Sequence, residues 1–86
     1  MPEISRFQGI TIKMFAREHN PPHFHAYQGK YKASFDISTG ELIEGDFPAN
    51  KIILVKAWMI LHKKELMKNW KSLTKGVGFD KIEPLR

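Results

Sequence analysis

The sequence predicts an α+β fold, with an antiparallel sheet of four to five short strands followed by one long C-terminal helix. Two observations indicate this class. The first half of the 86-residue chain alternates apolar and polar residues in short runs separated by turn residues, which is typical of an antiparallel meander. The second half repeats apolar residues at spacings of three and four, which is typical of a helix. The length corresponds to one domain, residues 1–86.

The strands follow one another closely in the first half of the chain. In the clearest of them Ile10, Ile12 and Met14 share one face, because successive side chains of a strand point to opposite sides. The segment from Arg17 to Pro22 is expected to be a loop, stiffened by its two prolines. The expected strands are Glu3–Phe7, Gly9–Ala16, Phe24–Gln28, Tyr31–Ile37 and Glu41–Glu44.

One helix is expected from Asn50, its predicted N-cap, to about Thr74, with Gly76 as its stop. One apolar stripe runs along its whole length and includes His62, and a second stripe is confined to the first half. Because that half is apolar on nearly all sides, it needs burial on two sides, by a curved sheet or by another chain. The predicted surface for a small partner protein or a second copy consists of Ile53, Ala57, Trp58, Ile60 and Leu61.

Composition narrows the classes of function. The absence of cysteine excludes disulfides, thiolate zinc sites and cysteine nucleophiles. A net charge of +5 and a pI of about 9.6 are compatible with an RNA, DNA or acidic-protein partner, and equally with an ordinary basic surface. No apolar run is long enough for a membrane span or a signal peptide, so we expect a cytoplasmic protein without a membrane partner. We expect an ordinary solvated face from the lysines spread around one continuous helix, which are Lys56, Lys63, Lys64, Lys68, Lys71 and Lys75.

Three of the four histidines lie within seven residues, in the segment His19-Asn20-Pro21-Pro22-His23-Phe24-His25. His23 and His25 are two apart in an expected strand, so their side chains share a face. If His19 folds back across the two prolines, three imidazoles could bind zinc or another divalent ion and leave one position for water. Glu18 or Asp36 could add a carboxylate. His19, His23 and His25 are therefore candidate metal ligands.

The same segment supports two other interpretations. His23 and His25 could act as acid and base in RNA cleavage, with Arg6 or Arg17 holding the phosphate, so these four residues are candidate catalytic residues. Alternatively, the imidazoles could bind backbone carbonyls and brace the loop. The sequence leaves these alternatives open.

Several motifs together resemble one family. The most specific is the Pro-Pro-His-Phe-His core of His19–Ala26. The other matching segments are Pro2-Glu3-Ile4-Ser5-Arg6-Phe7, Gly9-Ile10, Ile12, Met14, Gly40-Glu41, Gly45, Trp58, His62, Glu65-Leu66, Trp70 and Lys81-Ile82-Glu83-Pro84-Leu85. This pattern resembles short bacterial proteins classed as a domain of unknown function, which are often encoded beside a second small protein. The pair resembles a toxin–antitoxin module by size and gene arrangement. The resemblance implies a small partner protein and carries over no catalytic residue.

Three hypotheses follow. The leading one is a component of a toxin–antitoxin-like two-protein module that binds its partner through the helix. The first alternative is a histidine-dependent RNA-cleaving toxin, and the second is a divalent-metal-binding module built on the three-histidine loop. Whether the protein is an enzyme stays open.

Overall fold

The computed structural model describes residues 3–85 of the chain, so Pro2 of the opening motif lies outside it. The elements are β1 (Glu3–Phe7), β2 (Ile10–Lys13), β3 (His23–Gln28), β4 (Tyr31–Asp36), β5 (Leu42–Asp46), α1 (Ala49–Leu61) and α2 (Lys63–Thr74). The five strands form one sheet in the order of the sequence, and each neighbouring pair is antiparallel. The α+β class and the antiparallel sheet are as the sequence predicts.

One face of the sheet forms the core with the two helices. The strands alternate buried and more exposed residues, which follows from the period of two in a pleated strand. The sheet contributes buried Ile4, Phe7, Ile10, Ile12, Phe24, Ala26, Ala33 and Phe35, and the helices contribute Val55, Trp58, Met59, Leu66, Trp70 and Leu73. The other face carries polar side chains, and part of it is covered by the loop between β2 and β3.

The prediction of one long C-terminal helix is wrong, because the helix is interrupted at His62. This residue has φ −123°, and its N–H is shared between the carbonyls of Trp58 and Met59 at 3.1 and 3.2 Å. A straight helix over residues 49–74 would be about 39 Å long at 1.5 Å per residue. The longest dimension of the molecule is only 34 Å. The two segments therefore do not form one straight rod, and each carries a buried tryptophan, Trp58 on α1 and Trp70 on α2.

The start of the helical region also differs from the prediction. The first helix begins at Ala49, one residue before the expected N-cap Asn50. The carbonyl of Pro48 accepts hydrogen bonds from the N–H groups of Lys51 and Ile52, at 3.0 and 2.9 Å. Across residues 3–85, neither helix combines the length and hydropathy that a membrane span needs.

The tail after α2 is an extended arm bound to the body of the protein. The N–H of Ile82 donates to the carbonyl of Ile4 at 2.9 Å, and Ile82 is buried. Buried Asn69 exchanges two hydrogen bonds with the backbone of Asp80. The indole Nε1 of Trp58 donates to the carbonyl of Glu83 at 2.8 Å. The tail thus provides hydrogen-bond partners for polar groups that the helices bury.

Gly45 pairs with Ala33 across β4 and β5, next to an irregularity where the register shifts between Ser34 and Phe35. Its φ is +96°, a region that side chains disfavour. A Cβ atom at Gly45 would overlap the carbonyl oxygen of Lys32 and lie 2.9 Å from the Cα of Ala33. The position therefore needs glycine for both its backbone conformation and its close contact.

We expect Gly45→Ala to lower the free energy of unfolding by about 2–4 kcal/mol, because backbone strain and overlap add. The matched control is Gly29→Ala, where φ is +54° but nothing lies within 4 Å of the added carbon. That change should cost about 1 kcal/mol. Urea unfolding of both variants measures the difference. Equal losses would contradict the assignment of a steric contact at Gly45.

Candidate functional site

The third strand places two imidazoles side by side on the polar face of the sheet. Phe24 and Ala26 of β3 are buried, so His23 and His25 point to the opposite face. Their ring centroids lie 5.2 Å apart, with the planes edge to face. The sheet register also places His25 directly opposite Lys13 on one side and Ser34 on the other. The sheet therefore holds both rings from below.

The loop between β2 and β3 brings a carboxylate to the two rings. Arg17 turns the chain with φ +61°, and its N–H donates to the carbonyl of Leu73 at the end of α2. Glu18 then folds over the sheet. Its Oε1 lies 2.8 Å from Nε2 of His25 and 3.3 Å from Nε2 of His23. These three donor atoms all lie within 4.8 Å of one another, and all three side chains are partly buried.

The outer nitrogen of each ring is also engaged. Nδ1 of His23 lies 2.6 Å from the carbonyl oxygen of Pro21, and Nδ1 of His25 lies 3.2 Å from Oγ of Ser34. A carbonyl oxygen only accepts, so Nδ1 of His23 must carry a proton. Nε2 of His25 faces the Glu18 carboxylate at 2.8 Å and donates to it, while the Ser34 hydroxyl can either donate to Nδ1 or accept from it. Both rings are thus oriented by bonds behind the site.

This arrangement leaves one unresolved proton position. Since Nδ1 of His23 is protonated, its Nε2 carries either a second proton or a lone pair. A lone pair facing the Glu18 carboxylate at 3.3 Å would be repulsive. A second proton makes an ion pair with the carboxylate, and a metal ion would instead accept both lone pairs. Either a proton or a metal ion between Glu18 and His23 would relieve this repulsion.

Aromatic groups and a small cavity surround the cluster. Phe15 packs edge-on against His25 with centroids 5.0 Å apart, and Trp70 packs against His23 at 5.1 Å. Burial raises the pKa of Tyr27, and the Glu18 carboxylate raises it further, so this phenol stays protonated at neutral pH. The cavity above the cluster has a volume of about 210 Å³ and is lined by Glu18, His19, Asn20, Pro21, His23, His25, Ser34, Ile43 and Glu44.

The structure separates the candidate metal ligands into two groups. His23 and His25 belong to the cluster of donor atoms, together with Glu18, which the sequence suggested as an additional ligand. His19 is exposed and lines the cavity without joining the cluster. Asp36 is occupied elsewhere, because its Oδ1 accepts hydrogen bonds from the N–H groups of Ser38 and Thr39. The carboxylate of Glu18 thus takes the place that the sequence assigned to His19.

The two arginines proposed as catalytic residues make their contacts away from the imidazoles. Arg6 lies on β1, two strands from β3, and its guanidinium binds Glu3 at 2.7 Å. The Arg17 guanidinium lies beside Gly76, with Nη2 3.9 Å from where a Cβ of that residue would be. Their catalytic role stays a prediction, and the described contacts do not join them to His23 or His25.

The predicted partner-binding residues fall on two sides of α1. Ile53, Ile60 and Leu61 are 68, 71 and 68% exposed, and Ala57 is also exposed. Trp58 is fully buried and packs against Phe7 and Phe24. We name the exposed set of Ile53, Ala57, Ile60 and Leu61 the α1 apolar surface. Trp58 lies outside it because its indole fills the core.

Ser34 and the Pro21 carbonyl were not among the predicted site groups. Ser34 had a detectable signal: a two-residue turn at Gly29-Lys30 pairs Gln28 with Tyr31, and counting back along both strands pairs His25 with Ser34. The Pro21 contact had none, because it depends on the course of an irregular loop.

Comparison with known proteins gives one family. A family model described as a domain of unknown function, DUF4160, matches residues 9–71, which include both histidines of β3 and all of α1. Searches of curated proteins and of solved structures found no match. The matched region is more than half of the chain. The expectation of a domain of unknown function is thereby confirmed, and the chain belongs to the DUF4160 family.

Proposed function

We propose that the protein binds a divalent metal ion through Glu18, His23 and His25. The observation that carries this proposal is the convergence of one carboxylate oxygen and two Nε2 atoms, with the Nδ1 atom of each ring held by a neighbouring group. Metal-bound histidines almost always use their second ring nitrogen in this way, which fixes the ring orientation.

Two of the distances are close to those around such an ion. Ligands about 2.0–2.1 Å from a tetrahedral zinc lie about 3.3 Å from one another. Glu18 Oε1 and His23 Nε2 are 3.3 Å apart, and the 2.8 Å contact with His25 needs to open by only about half an ångström. The two Nε2 atoms lie within 4.8 Å of each other, and a metal would accept the lone pair of His23 Nε2 that a proton on Nδ1 leaves available.

The ligand set favours a reactive rather than a structural metal. Two histidines and one carboxylate are found at catalytic zinc sites and in non-haem iron sites, which keep positions open for water or substrate. A bound ion of this kind supplies a Lewis acid and an activated water. In this chain Pro21 and Ser34 would hold the rings, Phe15 and Trp70 would limit access of water, and the cavity would receive a small group.

The same geometry argues against metal-free RNA cleavage. An acid and a base must stand on opposite sides of the reacting phosphate, within hydrogen-bond reach of its oxygens. Here both Nε2 atoms face a single oxygen of Glu18. The two arginines of that hypothesis also make their contacts elsewhere. A metal-dependent role accounts for the shared carboxylate, which the acid–base hypothesis does not use.

A second candidate function is partner binding through the α1 apolar surface, within a toxin–antitoxin-like module. Residues 53, 57, 60 and 61 are spaced by four, three and one, so they form one stripe on the helix. Exposed apolar surfaces of this kind mark protein-binding sites. Lys56 borders the stripe, which favours a small protein with an apolar groove edged by carboxylates. A second copy of the chain is the competing occupant.

For the metal site, untagged protein should bind one zinc ion per chain by isothermal titration calorimetry. We expect Glu18→Gln and His23→Ala each to weaken binding by at least about 100-fold, since each removes a ligand or its charge. Ser34→Ala should cost about tenfold, because it only orients His25. His19→Ala and His62→Ala are matched controls that leave the affinity unchanged. Equal losses in the His19 variant would favour the three-histidine site instead.

For the α1 apolar surface, Ile60→Asp should abolish the complex with a small partner protein of the kind that the family resemblance implies, because a charge cannot be buried there without a partner. Size-exclusion chromatography with light scattering measures both the complex and the mass of the free chain. Val77→Asp is the control, since Val77 is 61% exposed but lies beyond α2. Wild-type protein that stays monomeric and binds no partner would contradict this function.

A further inference from the structure

A basic groove runs along the outer side of α2. Its cavity, with a volume of about 590 Å³, is the largest of those found among the described residues. More than half of its lining residues are lysines. The groove is lined by Lys64, Met67, Lys68, Lys71, Ser72, Lys75 and Val77.

The four lysines form one line. Their spacings of four, three and four residues place them on the same stripe of a helix. At 1.5 Å per residue, this stripe is about 16 Å long. The sequence suggested lysines scattered around one continuous helix. Of the other two, Lys56 lies on α1, before the break at His62, and Lys63 begins α2 without lining the groove. Lys63 is in addition bound to the carbonyl of Ser38.

Among residues 3–85, no carboxylate lines the groove. Lys68 contacts Asp80 at 3.7 Å, with both side chains at least three-quarters exposed. Such an exposed pair contributes little and leaves the ammonium able to meet another anion. The four positive charges therefore repel one another in the free protein, and an anionic ligand would relieve that repulsion.

The line of positive charge continues past the end of α2. The guanidinium of Arg17 lies beside Gly76, which follows Lys75 directly. Arg17 in turn precedes Glu18 in the loop that covers the imidazole cluster. A long anion lying in the groove would thus extend towards the cavity of the proposed metal site.

We propose that this groove binds a single-stranded nucleic acid through its phosphodiester backbone. A flexible chain with one negative charge per nucleotide can follow a concave line of evenly spaced cations, and Met67 and Val77 offer apolar surface to the bases. A flat anionic bilayer fits a concave groove poorly, and binding to it needs bulky apolar side chains that insert beside the lysines. The inference depends on the groove alone and holds whether or not the histidine cluster takes a metal.

The test uses fluorescence anisotropy of dye-labelled U15 and dT15 with the wild-type chain at several salt concentrations. Four lysine–phosphate contacts predict a slope of log K against log salt of about −3. Lys64→Gln, Lys71→Gln and Lys75→Gln combined should weaken binding at least tenfold and reduce the magnitude of the slope by about 2. The control combines Lys30→Gln, Lys32→Gln and Lys56→Gln, which removes the same charge outside the groove and should change the affinity less than about threefold.

Circular dichroism and thermal unfolding test whether both triple variants are folded. We expect that they are, because all six lysines lie outside the buried core. A preference for U15 over dT15 would identify RNA as the substrate class, and equal binding would indicate any single strand. The absence of saturable binding, equal losses in both triple variants, or tighter binding to phosphatidylserine vesicles or polyglutamate than to either oligonucleotide would overturn the proposal.

Discussion

Phe24 lies between the two histidines of β3 and is fully buried, stacked on Phe35 at 5.6 Å and edge-on to Trp58 at 5.8 Å. Because a strand alternates its side chains, burying this one ring forces both neighbouring imidazoles onto the polar face. A slip of one residue would expose Phe24 and bury both imidazoles, at a large cost in free energy. The hydrophobic core therefore determines where the candidate chemistry lies, although no core residue takes part in it.

The loop over the cluster depends on a second set of contacts. Arg17 bonds to the end of α2 through its N–H, and the carbonyl of Pro22 accepts a hydrogen bond from the N–H of Ile37 at 3.0 Å. Both ends of the loop are thereby tied to regular elements. Trp70 of α2 packs against the His23 ring. The second helix thus contacts both the loop and one ring of the candidate site.

Much of the sheet could be predicted from the sequence, because its signals are local. The alternation in Tyr31–Asp36 and the two-residue turn before it determine which residues face the core and which face each other. The helix break could not be predicted in this way, since His62 is neither glycine nor proline and the apolar stripe continues through it. The relevant constraint is long-range: a straight helix over residues 49–74 would be longer than the longest dimension of the molecule.

The site was predictable in part for the same reason. His23 and His25 share a face through the period of two, whereas the choice of Glu18 over His19 depends on the left-handed backbone of Arg17, which has no clear sequence signal. The stripe of Lys64, Lys68, Lys71 and Lys75 follows from their spacing on any helix, but the groove beside it also depends on Val77, which lies beyond the end of α2. Features set by local spacing could thus be predicted from the sequence, whereas features set by contacts between distant segments could not.

The central claim is that Glu18 and the two Nε2 atoms form a metal site held by Pro21 and Ser34. The most direct test is long-range ¹H–¹⁵N NMR of the imidazole rings in ¹⁵N-histidine-labelled, untagged protein, before and after one equivalent of zinc. The account predicts that the Nε2 resonances of His23 and His25 shift together, that both rings carry a proton on Nδ1 once zinc is bound, and that His19 and His62 stay unchanged. Unchanged rings at His23 and His25, or coordination through Nδ1, would contradict it.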